Sequence, residues 1–138
     1  MIAYLDSSVV LRLVLGQGNA LGEWRRVARG VASALVEVEC LRTLDRLCIV
    51  EDLSEAEIAR RREAVFLLLE TIEIVDLTRP VLDRAAQPLP TTLGTLDAIH
   101  LATAMLWRDA NNADLVLATH DQSLALAARA SGLRTVGT

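Results

Sequence analysis

Short apolar runs alternate with longer stretches of helical spacing along the whole of this chain, and that alternation limits the fold more than any other feature. Strand, helix and strand in succession need a crossover, and repeated crossovers give a mainly parallel sheet with helices on both faces. Ile2 to Leu5 reads as the first strand and ends at Asp6. From Ser7 the spacing of Val10, Leu13 and Val14 is helical until Gly16 and Gly18. Asn19 to Arg29 predicts a second helix, with Leu21, Trp24 and Val27 inward and Gly30 as its stop. Val31 to Ser33 predicts a tiny strand. A long helix then runs from Ala34 to about Val50, its apolar positions being Leu35, Val38, Leu41, Leu44 and Leu47 or Cys48.

Ser54 and Glu57 have the spacing of a capping box, which starts a helix reaching about Glu70 with Ile58, Val65, Leu68 and Leu69 apolar. Ile72 to Leu77 is rich in β-branched residues and reads as a strand, and Thr78 caps a short helix through Ala86. A proline-marked loop from Gln87 to Thr95 precedes a strongly apolar helix, Leu96 to Asp109. Leu115 to Ala118 reads as a buried strand, Asp121 to Ala130 as a final helix closed by Gly132, and Leu133 to Val136 as a last strand. The expected fold is α/β: three layers, with a central mainly parallel sheet of four to five strands between helices. With 138 residues, 52% of them hydrophobic, the chain has the size of one domain spanning 1–138 and needs no disulfide or zinc to hold it together.

Cys40 and Cys48 form no CxxC pair, and two isolated thiols suit a reducing compartment. Asp6 and Arg12 interrupt the N-terminal apolar stretch, which fits neither a signal peptide nor a membrane span. All 14 basic residues are Arg. The absence of Lys excludes a Walker A loop, a Schiff-base enzyme, a kinase and the Lys-dependent haloacid-type phosphatases and response-regulator receivers.

In an open parallel sheet ligands sit beyond the carboxyl ends of the strands, so residues just after strands are where chemistry is expected. Asp6 follows the first strand, and Asp121 follows Leu115 to Ala118 after Thr119 and His120. Glu39 lies near the start of the long helix among Leu35, Val36, Val38, Cys40 and Leu41, and Asp97 in the first turn of the most apolar helix. A carboxylate in such surroundings needs an ion pair, hydrogen bonds or a cation. Each acid also has a plainer use. Asp97 favours the positive end of its helix, Asp6 and Asp121 can cap helices, and Glu39 can pair with Arg42. Taken together, converging carboxylates repel one another unless a divalent cation lies between them. Hard oxygen donors without a Cys or His set point to Mg²⁺ or Mn²⁺, the usual ions of phosphodiester hydrolysis.

Four segments carry a resemblance: Ile2-Ala3-Tyr4-Leu5-Asp6-Ser7-Ser8, Ser33-Ala34-Leu35-Val36-Glu37-Val38-Glu39, Leu96-Asp97-Ala98-Ile99-His100-Leu101-Ala102-Thr103-Ala104, and Thr119-His120-Asp121 through Leu124. In order and over the whole chain they resemble PIN-domain ribonucleases, and more narrowly VapC toxins of bacterial toxin–antitoxin pairs; the third segment is the most specific. The resemblance implies a PIN-like domain in which Asp6, Glu39, Asp97 and Asp121 form an acidic quartet around Mg²⁺ or Mn²⁺, supported by Ser7 or Ser8 and by Thr119. It also implies a cytoplasmic endoribonuclease acting on RNA, inhibited by a VapB-like antitoxin, and a homodimer. The alternatives are a PIN nuclease of RNA maturation or decay, and a catalytically silent binding module.

Other residues carry less. His100, three residues after Asp97 on an apolar helix, reads as a packed, hydrogen-bonded histidine, and His120 is assigned nothing. Asp114 precedes its strand and belongs at the wrong sheet edge, and Glu37 faces away from Glu39. Arg60, Arg61 and Arg62 read as a solvated face pairing with Glu57 and nearby acids, with phosphate contact as the functional alternative. Aromatic residues make up only 3% of the chain, so base stacking has little to work with. A mean hydropathy of +0.35 suggests that a partner covers some helix surface. The net charge of −4 argues against a nucleic-acid partner when read alone. Setting the quartet aside leaves fourteen acids against fourteen Arg, so the excess is the site.

Overall fold

Side chains alternate across a strand, and here that alternation builds two separate cores. In the computed structural model, which describes residues 1–138, strand β1 (Ile2–Leu5) sends Ala3 and Leu5 to one face and Tyr4 to the other. Helix α1 (Ser7–Val14), a 3-10 turn (Gly22–Arg26), strand β2 (Arg29–Ser33), helix α2 (Leu35–Glu51), helix α3 (Glu55–Glu70) and strand β3 (Ile72–Val75) follow in order. Then come helix α4 (Arg79–Ala85), helix α5 (Thr95–Asn111), strand β4 (Leu115–Ala118), helix α6 (Gln122–Ala130) and strand β5 (Arg134–Val136). The five strands are all parallel, in the order β3-β2-β1-β4-β5. Against Ala3, Leu5, Ala32 and Ile72 pack Val9 and Val10 of α1, Val36, Cys40 and Leu44 of α2, and Val65 and Leu69 of α3. Against Tyr4, Val31, Leu115 and Leu117 pack Leu101, Met105 and Trp107 of α5 and Leu124, Ala127 and Ala128 of α6. The three-layer α/β/α arrangement is as expected. No helix is long and apolar enough to cross a membrane.

The helix expected over Asn19 to Arg29 is absent. Its middle is only the 3-10 turn, and Arg29 and Gly30 belong to β2, paired with Ile2 and Ala3. Ala28 N–H already donates to Met1 O at 2.9 Å, so sheet pairing takes the backbone groups a helix would have used. Gly30 is therefore not a helix stop. A Cβ there would lie 3.3 Å from both Ile72 Cγ1 and Leu5 Cδ1, closer than such contacts normally come, on the face that α1, α2 and α3 cover. The inward face of α2 also differs. Val36, Cys40, Leu44 and Cys48, four apart, face the sheet, while Val38 is 60% exposed. Strand β3 stops at Val75 rather than Leu77. The capping box is half formed: Ser54 Oγ accepts from Glu57 N–H at 3.2 Å, but the Glu57 carboxylate pairs with Arg60 and Arg61 instead of reaching back.

Parallel pairing brings the carboxyl ends of all five strands to one edge. β1 lies at its centre, between β2 and β4, where the strand order reverses. Helix α5 runs back toward the far edge to feed β4, so its first turn, with Asp97, stands at the same edge as Asp6 and Thr119.

Candidate active site

Asp6 is the centre of the site because the strand ends there and a helix begins. It is 4% exposed and caps α1, its Oδ1 accepting from Ser8 N–H at 2.9 Å, Val9 N–H at 3.2 Å and Ser8 Oγ at 2.5 Å. Its Oδ2 accepts from the buried Thr119 hydroxyl at 2.5 Å and keeps a second lone pair. Four donors, none of them a cation, fix the side chain's direction.

Thr119 links the two central strands. Besides donating to Asp6, its Oγ1 accepts from Asp121 N–H at 2.9 Å, which places Asp121 as the N-cap of α6 with Oδ1 accepting from Leu124 N–H at 2.9 Å. Of the two serines expected to support the site, Ser8 does so: its Oγ bonds Asp6 and accepts from His120 N–H at 3.0 Å. The Ser7 side chain lines a shallow pocket beside Glu39, with Leu35, Arg42 and Leu96. The cap readings of Asp6 and Asp121 are thus correct, and Asp121 is exposed whereas Asp6 is buried.

Glu39, in the second turn of α2, does not pair with Arg42, which goes to Asp45 at 3.0 Å. Its Oε1 meets His100 Nε2 at 2.5 Å instead, and His100 Nδ1 meets the Tyr4 hydroxyl at 2.8 Å. His100 is the packed histidine that the sequence suggests. Its two partners were not legible, because Glu39 lies 61 and Tyr4 96 residues away along the chain. The only prior signal was that a buried imidazole and a phenol in an apolar strand must each find a partner.

The acids act on one another. Asp97 is pushed above the ordinary carboxylate range, first by burial and then by the Asp121 charge, with smaller contributions from Asp6 and Glu39 against a lowering by His100. Burial, then Glu39 and Asp6, pushes the Cys40 thiol up to about 12, which leaves it inert. No Arg answers these charges. Every Arg ion pair goes to other acids: Arg29 to Glu73, Arg61 to Glu51 and Glu57, Arg62 to Asp45, Arg79 to Asp83, Arg108 to Asp109 and Arg134 to Asp114. The last pair confirms Asp114 as a residue of the opposite edge.

Asp6, Glu39, Asp97 and Asp121 thus share one field, but no three His, Cys, Asp or Glu side chains close around a single point. Carboxylates without a counter-charge stand off from one another. By donor chemistry they fit a hard divalent cation: oxygen donors with free lone pairs, net negative charge and no competing Arg.

A family model described as PIN domain matches residues 3–130. Ribonuclease VapC46 of Mycobacterium tuberculosis is 34% identical over 137 residues, covering 96% of this chain and 95% of that protein. A toxin-antitoxin complex from Klebsiella pneumoniae superposes with a TM-score of 0.65 at 20% identity, over 89% of this chain and 90% of that one. FitAB bound to an IR36 DNA fragment gives 0.73 at 18% identity, over 98% and 93%. The parallel sheet, the acids at its central carboxyl edge and these matches agree: the chain belongs to the PIN-domain family and is of the VapC type.

Proposed function

We propose that this protein is a divalent-metal-dependent endoribonuclease that hydrolyses RNA phosphodiester bonds and acts as the toxin of a toxin–antitoxin pair. The observation that carries the reading is the set of four carboxylates, Asp6, Glu39, Asp97 and Asp121, at the central carboxyl edge of the sheet with no Arg to neutralise them. Such a set raises the cost of the empty site and so favours a cation. Mg²⁺ or Mn²⁺ bound there supplies an activated water and neutralises charge developing on the phosphate. Asp6, held by Ser8 and Thr119, presents one oriented oxygen, and Glu39 and Asp97 complete the principal set. Asp121, exposed on its helix cap, completes the site or holds a second ion. That VapC46 is named a ribonuclease supports the activity, and the Klebsiella toxin-antitoxin complex supports a VapB-like antitoxin as inhibitor. The protein acts in the cytoplasm, as a homodimer and a single domain.

Replacing Asp6→Asn or Asp97→Asn, with thermal melting to confirm that each variant is folded, is expected to abolish both RNA cleavage in Mn²⁺ and growth arrest on expression. Full activity in both variants sinks the assignment.

A further inference from the structure

A carboxylate that binds a cation with one oxygen needs its other oxygen tied down, and Glu39 is tied by a residue outside the acidic set. His100 is 1% exposed, in the middle of α5, with its ring edge-on to Tyr4 at a centroid distance of 5.9 Å. Both ring nitrogens are engaged, Nδ1 by the Tyr4 hydroxyl at 2.8 Å and Nε2 by Glu39 Oε1 at 2.5 Å.

The direction of the bonds follows from counting protons. Ser33 N–H donates to the Tyr4 oxygen at 3.3 Å, so the phenolic proton must go elsewhere. Tyr4 is fully buried, so its hydroxyl proton must go to a protein acceptor. The side-chain acceptor that the hydroxyl meets is His100 Nδ1, at 2.8 Å. With Nδ1 accepting, the imidazole proton is on Nε2, facing Glu39.

We infer that His100 is the positioning residue of the site: a buried chain from Ser33 N–H through the Tyr4 hydroxyl and the imidazole donates to Glu39 Oε1, orients that carboxylate and leaves Oε2 free for the cation. His100 touches neither substrate nor cation. It acts through Glu39, as the carboxylate and carbonyl partners of ligating groups do in metal sites generally. The inference rests on the reading of Glu39 as a metal ligand, and the test separates the two.

Mn²⁺ affinity is measured by calorimetric titration of the full chain, with thermal melting to confirm that each variant is folded. His100→Asn places an amide near Nδ1 that cannot reach Glu39, whereas His100→Gln places an N–H donor near Nε2. The Asn variant should bind Mn²⁺ about 10–100-fold more weakly and the Gln variant should recover most of the loss. Tyr4→Phe removes one oxygen and keeps the ring, so it serves even where the His100 variants do not fold, and it should weaken binding by less than His100→Asn. Wild-type affinity in His100→Asn or in Tyr4→Phe, or equal losses in the Asn and Gln variants, overturns the inference. Asp6→Asn is the separate control: unchanged Mn²⁺ binding in that variant overturns the metal reading of the site itself.

Discussion

A carboxylate half withdrawn from water among other carboxylates prefers to hold its proton, and Asp97 is such a group. Its affinity for a proton is higher in the fold than in the unfolded chain. Its own contribution to stability is therefore fully present below the unfolded value and is lost as pH rises through the raised one. At neutral pH without metal, Asp97→Asn removes that cost. Its melting temperature in a chelating buffer should exceed wild type by roughly 2–4 °C, the response of a chain of this size to about 1 kcal/mol or less. Added Mn²⁺ should raise the wild type and leave the variant unmoved. A variant that melts below wild type in chelator would mean that Asp97 is answered by something other than an ion. Asp6 makes the contrast: four donors already compensate its charge.

Elements carry these residues to one edge, and most of the elements were legible. Strand β4 begins and ends where its four apolar residues do, and α3, α5 and α6 follow their periodicity within a residue or two. The 3-10 turn did not, because what decides Arg29 and Gly30 is pairing with Ile2 and Ala3, which local spacing cannot reveal. Asp6 and Asp121 were readable as residues that follow strands, Asp97 as one that begins a helix, and Glu39 as a carboxylate among apolar neighbours. The Tyr4–His100–Glu39 chain was not, since it exists only once β1, α2 and α5 have packed. Strand β5 adds a brace of the same kind. Val136 O accepts from Thr119 N–H at 3.1 Å, Gly137 O meets His120 Nδ1 at 2.7 Å, and Gly137 adopts φ +101°. A Cβ on Gly137 would fall 2.5 Å from Thr119 O. Gly137→Ala should thus cost about 1–3 kcal/mol by forced repacking and lower cleavage by shifting Thr119 off Asp6. Gly18→Ala, whose new methyl meets nothing within 4 Å, is the control, and equal losses in the two would refute the brace.

Over the whole molecule, the Arg ion pairs go to acids outside the quartet. On β3, Glu73 binds Arg29 Nε and Nη2 at 3.0 and 2.5 Å and accepts from Trp107 Nε1 at 3.0 Å, while Arg29 lies 5.1 Å over the Trp107 ring. Trp107 first, then Arg29, lowers the Glu73 pKa from its ordinary 4.5, so its contribution is present above that pH and fades as pH falls through the lowered value. Glu73→Gln should melt below wild type at pH 7, with the gap closing in acid; a gap independent of pH would show that the charge is not what matters. Glu73 is thus a carboxylate with a cation and a donor beside it, whereas Asp6, Glu39, Asp97 and Asp121 have no Arg partner.

The central position of β1 has a further consequence, for synthesis. Its second neighbour, β4, is made more than a hundred residues after it, and the Asp6–Thr119 bond spans 113 positions. Such distant pairing forms late in folding. A ribosome that has made everything through α5 has not yet released a strand to complete the sheet, and Asp6 on that nascent chain has neither Thr119 nor Asp121 beside it. The contact that orients Asp6 can therefore form only after Thr119 has been made and β4 has docked beside β1.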